Sequence, residues 1–312
     1  MDLSIVIVNW NTKDLLRECL NSIARSEHGL TLEIIVVDNA SCDGSAEMLR
    51  DDFCQVTLIE NNRNLGFAGG NNLALKRAAG RYVMLLNTDT LVHGTVLRDA
   101  VAWLDENPLV GVMGPRVLNA DGSLQPSCSM FPSLRHLAMQ TLGLTRVPRW
   151  DAYRLTGWDH AHTREVEVIS GAAMFVRRSA MQQVGLLDEA FFFFGEETDW
   201  CRRFAQSGWR VVFNPIPEIT HFGGGSVQSF KHTRDVMMTE ATTRLHLKHR
   251  GVLGASICFL LLTFHNISRA IFWSIMSLVF NPRAAVRAVH FLRVSVDLWR
   301  AWPRRRKVTA IS

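Results

Sequence analysis

Three carboxylates crowd into four positions, Glu196, Glu197 and Asp199, directly behind the aromatic run Phe191-Phe192-Phe193-Phe194. A carboxylate held against an apolar wall loses water, which raises its pKa and suits it to take a proton from a hydroxyl. The same acids also complement the dipole of the helix they would open. A second set, Asn87-Thr88-Asp89, ends the apolar run Tyr82-Val83-Met84-Leu85-Leu86. A carboxylate at such a strand end can hold a hard cation, and the triplet equally fits the cap of a following helix, so these residues alone do not choose. His221, followed by Gly223-Gly224-Gly225, is a candidate metal or phosphate contact, although a lone histidine more often serves structure.

These groups need elements to carry them. The run 81–86 reads as a strand buried on both faces of a parallel sheet, and in open α/β sheets ligands sit outside the carboxyl ends of the strands. Residues 3–10 and 33–39 repeat the pattern, each apolar and each ending in polar residues, Asn9-Trp10-Asn11 and Asp38-Asn39. A helix is predicted over 13–25, with Asn11-Thr12 as cap candidates, and a further strand over 56–60. Asn61 to Asn72 is rich in glycine and asparagine and leads into a helix predicted over 73–79. Glycines at a helix start let backbone amides approach an anion such as a phosphate. A helix over 95–106, a strand at 110–112, and strands over 166–169 and 171–178 follow. The acids then open a helix ending near Gly208, and a strand over 209–214 precedes Pro215-Ile216-Pro217 and a loop bearing His221. Alternating strands and helices predict an α/β fold with a doubly wound, mostly parallel sheet. The irregular, proline-punctuated stretch 114–165 reads as a substrate-facing region.

Neither G-x-G-x-x-G after the first strand nor G-x-x-x-x-G-K-[ST] anywhere is present, which disfavours a dehydrogenase or a P-loop enzyme. The chain of 312 residues is 47% hydrophobic, enough for a substantial core. Its six cysteines lack paired metal-type spacing and it opens directly on a strand pattern, which predicts a reducing, cytoplasmic setting. Charge is uneven. Residues 241–312 set twelve basic side chains against Asp297 alone, a net +11 that leaves residues 1–240 at −6. Residues 251–264 are apolar but too short to span a bilayer, and basic residues flank them on both sides. A re-entrant hairpin or in-plane amphipathic helices are therefore expected, on an anionic membrane surface at the cytoplasmic face of the inner membrane. The other use of such a tail is a buried helical interface in a homo-oligomer. No nucleic-acid partner is expected.

Five segments, in order, resemble the family-2 glycosyltransferases of the GT-A fold, rhamnosyltransferase-like members in particular. They are Ser4-Ile5-Val6-Ile7-Val8-Asn9-Trp10-Asn11, Val36-Val37-Asp38-Asn39-Ala40-Ser41-Cys42-Asp43-Gly44-Ser45, Asn64-Leu65-Gly66-Phe67-Ala68-Gly69-Gly70-Asn71-Asn72, Leu85-Leu86-Asn87-Thr88-Asp89-Thr90 and Phe194-Gly195-Glu196-Glu197-Thr198-Asp199. The resemblance implies a metal-dependent, inverting transfer from a nucleotide-sugar donor to a saccharide acceptor, lipid-linked in cell-surface polysaccharide synthesis. It implies that Asp38 contacts the nucleotide base, within a donor site formed by Val8, Asn9, Asn11, Asn64, Gly66, Gly69, Asn87 and Gly171. Asp89 would hold Mg²⁺ or Mn²⁺ in a motif whose first acid is here Asn87, with His221 completing the metal site. Glu197 would be the general base, flanked by Glu196 and Asp199. The domains implied are 1–240, with a donor half at 1–115 and an acceptor half at 116–240, and a membrane-associating tail at 241–312. A sugar-phosphate nucleotidyltransferase and a catalytically inactive sugar-nucleotide-binding protein are the competing readings. The first lacks the glycine- and arginine-rich loop expected after its opening strand.

Overall fold

The structure, a computed structural model, describes residues 1–27, 29–147, 153–155, 157–223, 231–279 and 282–303. Its N-terminal half follows the apolar runs. Leu3–Asn9 (β1), Leu32–Asp38 (β2), Thr57–Glu60 (β3) and Tyr82–Leu86 (β4) lie parallel, linked by the helices Lys13–Arg25 (α1), Ser45–Asp52 (α2) and Gly66–Leu75 (α3). Most of their apolar side chains are buried, and in β4 every residue is. The strand order β3-β2-β1-β4 reverses direction of growth at β1, so the polar ends of β1 and β4 border a crevice between helices.

The sheet then becomes mixed. After Thr90–Val92 (β5) and the helix Val96–Glu106 (α4) come Val110–Leu118 (β6), the two-residue strands Leu124–Gln125 (β7) and Cys128–Ser129 (β8), and the helix Leu134–Thr141 (α5). Arg164–Glu165 (β9), Val168–Ile169 (β10) and Ala173–Arg177 (β11) follow, then the helices Arg178–Val184 (α6) and Glu196–Gln206 (α7) and the strand Arg210–His221 (β12). β11 inserts antiparallel between β4 and β6, and β12 runs parallel to β6 and antiparallel to β5. One core lies beneath α1 and α4; the other lies beneath α3 and α7, where Trp200, Phe204 and Phe213 are fully buried.

Several expectations change. The glycine-rich segment is not a loop before a helix, because α3 begins at Gly66 and Gly69 and Gly70 lie inside it. Those positions hold no side chain for a steric reason: a Cβ on Gly70 would stand 2.8 Å from Val8 Cγ1 and 3.1 Å from Asn39 Nδ2. The strand predicted over 209–214 runs on through Pro215 and Pro217 to His221, because the prolines fall at a register shift against β6 where no ladder donor is needed. Asn87-Thr88-Asp89 caps no helix, since β5 follows it directly. The stretch 114–165 contains β6 to β9 and α5, while Pro148 and the glycines Gly224 and Gly225 lie outside the described residues.

The tail departs most. Lys231–Val279 (α8) is helical apart from a kink at Gly251, with φ 68° and ψ −170°, and Pro282–Asp297 (α9) packs back along it. His265, Asn266 and Arg269 do not interrupt the helix. Asn266 donates to Leu262 O within it, and Arg269 reaches the carbonyls of Gln140 and Thr141 at the end of α5. The apolar stretch is thus longer than residues 251–264. Among the described residues one helix is long and apolar enough to cross a membrane by length and composition, with 22% of its apolar window buried. A boundary at 240/241 would cut α8, whose Ala241 and Leu245 pack on Phe131 and Phe191 of the body.

Candidate active site

The carboxyl ends of β1 and β2 are laced by side chains. Asn9 donates to Asp38 Oδ1 at 2.9 Å and to Ser41 Oγ at 3.0 Å, while Asp38 Oδ2 accepts from Ser41 N. Asp38 is 3% exposed, so its first task is to tie the two strand ends together. Asn11, at φ 53°, accepts from Cys42 N and presents its edge to solvent beside Trp10, a large aromatic left 38% exposed where β1 ends. The predicted cap residue Thr12 makes no capping bond. Its hydroxyl bonds Asn9 Oδ1 and Thr88 Oγ1, and Asp43 caps α1 instead by accepting from Lys13 N.

α3 enters the crevice through Asn64, whose Oδ1 accepts from Gly66 N, and through Asn39, whose Nδ2 donates to Gly66 O. Gly66 sits at φ +73°, and a Cβ there would fall 2.2 Å from Phe192 O, the carbonyl that accepts from Phe67 N. The aromatic run therefore docks directly on the start of α3, with Phe67 and Phe193 edge to face at 6.3 Å. Gly171 lies against the Phe67 ring, and Ala172 O accepts from Asn87 N. These contacts bring the end of β4, the start of α3 and the aromatic loop to one cleft. The Asn87 side-chain amide makes no hydrogen bond among the described residues.

Asp89, 7% exposed, faces His221 across the β5–β12 pairing, with Asp89 Oδ1 3.2 Å from His221 Nε2. His221 is thus the last residue of a strand rather than part of a loop. Gln125 orients its ring: Gln125 Nε2 donates to Asn119 Oδ1 and to His221 O, which leaves Gln125 Oε1 to accept from His221 Nδ1 at 2.5 Å. In the neutral imidazole that network places the lone pair on Nε2, toward the carboxylate. A hard carboxylate oxygen and an imidazole nitrogen aimed at one point fit a divalent cation, and Mg²⁺-type ions take few protein ligands when phosphates supply the rest. No cluster of three or more His, Cys, Asp or Glu suited to a metal occurs among the described residues.

The acids open α7 behind Phe194 and Gly195, consecutive residues at φ 72° and 86°, which turn the chain sharply from the aromatic loop into the helix. Glu196 is 4% exposed and its Oε2 has no partner, while Glu197 is half-buried at the cleft. Burial pushes the Glu197 carboxyl above its ordinary value, and burial together with the Glu197 charge pushes Glu196 well above it. Asp199 sits elsewhere. It is fully buried and bonded to Arg203 Nε at 2.8 Å, Lys248 Nζ at 2.9 Å and His249 Nε2 at 2.9 Å, an ion cluster that fastens α8 to α7. That set of partners makes it an anchor of the helix, with no oxygen turned to the cleft acids' task. Gln125 escaped the sequence reading, and Thr12, Thr88 and Trp10 entered it only as a cap candidate or as members of a segment, with no part in the site.

The family described as Glycosyl transferase family 2 matches residues 4–185. An N-acetylglucosaminyl-diphospho-decaprenol L-rhamnosyltransferase of Mycobacterium tuberculosis is 30% identical over 237 residues, covering 70% of this chain and 75% of the relative. Among solved structures, the mannosyltransferase PcManGT from Pyrobaculum calidifontis in complex with GDP-Man and Mn²⁺ superposes with a TM-score of 0.58 at 18% identity, covering 95% of this chain and 86% of that one. Residues 1–349 of Staphylococcus aureus TarS in complex with UDP superpose at 0.52 and 16% identity, covering 99% and 94%. The two structures share the GT-A fold with this chain.

Proposed function

This chain belongs to glycosyltransferase family 2, and from that membership we propose that it is a metal-dependent, inverting hexosyltransferase that passes a sugar from a nucleotide donor to a lipid-linked saccharide. The observation that carries the reading is the Asp89–His221 pair, held at 3.2 Å at the open end of the sheet with the histidine tautomer set by Gln125. Asp89 and His221 would hold Mg²⁺ or Mn²⁺, which supplies the positive charge that a departing nucleoside diphosphate needs. A solved neighbour of the same fold carries Mn²⁺ with its sugar nucleotide, which supports that choice.

The other residues take roles from their positions. Trp10, Asn11 and Asp38 border the base, Gly70 lets α3 lie close to Val8 of β1 while Gly69 packs on Leu65, and Asn64, Gly66, Gly69 and Gly171 shape the floor under the donor. The unbonded Asn87 amide meets the ribose or an ordered water on the ion. Glu197 takes the proton from the acceptor hydroxyl as that oxygen attacks the anomeric carbon from the face opposite the leaving group, and displacement in one step inverts the centre. Glu196 lies beside it, its own carboxyl pushed well above the ordinary value by burial and by the Glu197 charge. On this reading residues 1–115 hold the donor, 116–240 face the acceptor, and the basic, apolar tail of 241–312 rests on the cytoplasmic face of the membrane, in cell-surface polysaccharide synthesis. The relative whose acceptor is named as a diphospho-decaprenol supports a lipid-linked acceptor.

Glu197→Gln is expected to abolish transfer while donor binding persists; equal activity in the variant removes Glu197 from the mechanism. Calorimetry of UDP-, dTDP- and GDP-sugars with and without Mn²⁺ identifies the donor, and Asp89→Ala should lose the metal-dependent part. Nucleotide release in the same screen separates a transferase from an inactive binding protein.

A further inference from the structure

Two arginines at the junction of the α/β body and the apolar helices make no ion pair among the described residues. Arg202, on α7, lies with its guanidinium 4.1 Å from the centre of the Phe131 ring, and its buried Nε has no hydrogen-bond partner. Burial and the neighbouring Arg250 charge lower its pKa, against the opposing pull of Glu167 and Asp199. Arg250, exposed, is the last residue before the Gly251 kink. Neither arginine makes an ion pair or side-chain hydrogen bond among the described residues. Of the acids that act on Arg202 from a distance, Asp199 is bonded to Arg203, Lys248 and His249, and Glu167 accepts from Phe131 N through one oxygen. Phe131 itself is fixed, packed edge to face on His246 and His249.

What surrounds the pair points to a particular anion. Arg202 follows Glu197 by five residues on α7, about 7.5 Å along the axis and about 140° around it, so a molecule held by the arginines would run round the helix to meet the base. On the other side an exposed apolar stripe starts at once. Leu253, Ile257, Leu260 and Phe264 recur at helical spacing along α8 and are 74%, 39%, 65% and 57% exposed. The base, then the charge, then the hydrocarbon stripe match a molecule with a sugar, a doubly charged phosphate linkage and an isoprenoid chain, in that order.

We propose that Arg202 and Arg250 bind the diphosphate of a lipid-linked acceptor, with the sugar extending toward Glu197 and the hydrocarbon following the stripe on α8. The proposal rests on the reading of the acceptor as lipid-linked. Guanidinium groups suit this ligand because their planar donors match phosphate oxygens two at a time. The Phe131 platform holds Arg202 in place before the ligand arrives.

The test uses the full chain and farnesyl diphosphate as probe, titrated calorimetrically in EDTA so that no divalent ion draws the probe to the donor site. Binding is expected for the wild type and not for farnesol, and Arg202→Gln and Arg250→Gln should each weaken it tenfold or more. Arg202→Lys, which keeps the charge over Phe131, should recover part of the loss, a result that a misfolded Gln variant would not allow. Arg250 is exposed, so its variant keeps the fold. Unchanged farnesyl diphosphate affinity in either Gln variant overturns the proposal. So does a loss confined to phosphatidylglycerol vesicles, which would assign the arginines to membrane phospholipid. Mn²⁺-dependent sugar-nucleotide binding, measured on the same samples, reports on the donor site separately, so a failure there leaves the diphosphate result readable on its own.

Discussion

Glu196 and Glu197 stand side by side in the first turn of α7, and burial penalises charge on both. The consequence is a pH dependence whose sign can be worked out. A base must be deprotonated to act, so with its carboxyl held above the ordinary value the acid limb of kcat/KM should lie above the usual carboxylate range, and an alkaline shift of pH should speed transfer through that limb. The same shift bears on stability. Above about pH 4.5 the folded chain keeps protons that the unfolded chain has released, so these acids cost stability as pH rises toward their folded values. Glu196→Gln removes a buried carboxyl with an unpaired oxygen and should stabilise by about 1–3 kcal/mol at pH 8, with the gain vanishing at pH 4, as read by denaturant unfolding. Asp199 behaves in the opposite way. Cutting it from three basic partners by Asp199→Ala should cost about 3–5 kcal/mol, a loss that a catalytic acid at an open cleft would not show. Asp89 and Glu197 could be singled out from residue type and from their places at a strand end and a helix start, whereas His221 was read onto a loop and ends β12 instead. Asp199 was not separable from them, because Lys248 and His249 lie 49 and 50 residues away and no local pattern announces them. Gln125 was invisible for the same reason, 96 residues from the ring it orients.

At the level of elements, the buried strands β1, β2 and β4 and the helix α1 stood out because apolar runs and helical spacing are local signals. What escaped was structure set by distant packing. α3 starts at Gly66 although glycine disfavours helices, because only glycine lets it press against β1 and the carbonyl of Phe192. Gly66→Ala should therefore do more than strain a positive φ. The new methyl collides with the backbone that carries the aromatic loop, so thermal unfolding should begin lower and sugar-nucleotide binding should weaken at least tenfold, while the secondary structure of the remaining sheet, read by circular dichroism, is retained. β12 passed through two prolines because its partner strand has a register shift at that place, information that β12's own sequence does not carry. The polar break seen in the tail vanished likewise once Arg269 could be spent on the end of α5.

Across the whole molecule, an α/β body carries two helices whose outward side stays apolar. Leu253, Leu260, Ile271, Leu278 and Val286 are more than half exposed, a patch of the kind that marks a membrane or protein contact. A chain lacking residues 251–312 should lose co-sedimentation with phosphatidylglycerol vesicles and keep donor binding; undiminished sedimentation would remove the tail from membrane docking. The division into an acidic body and a basic, apolar tail was visible in composition, whereas the continuity of α8 across its kink was not, since it depends on α5. The β12–β5 pairing carries one consequence in time rather than in space. Asp89 is made early and waits at the end of β4 for His221, which ends the last strand of the sheet to leave the ribosome, and closing so long a loop is the slow part of forming such a sheet. On the proposed reading, the half assigned to the donor therefore exists before the pair that would grip the donor's charge, and a nascent or truncated chain would hold a half-built cleft, idle toward the sugar nucleotides around it.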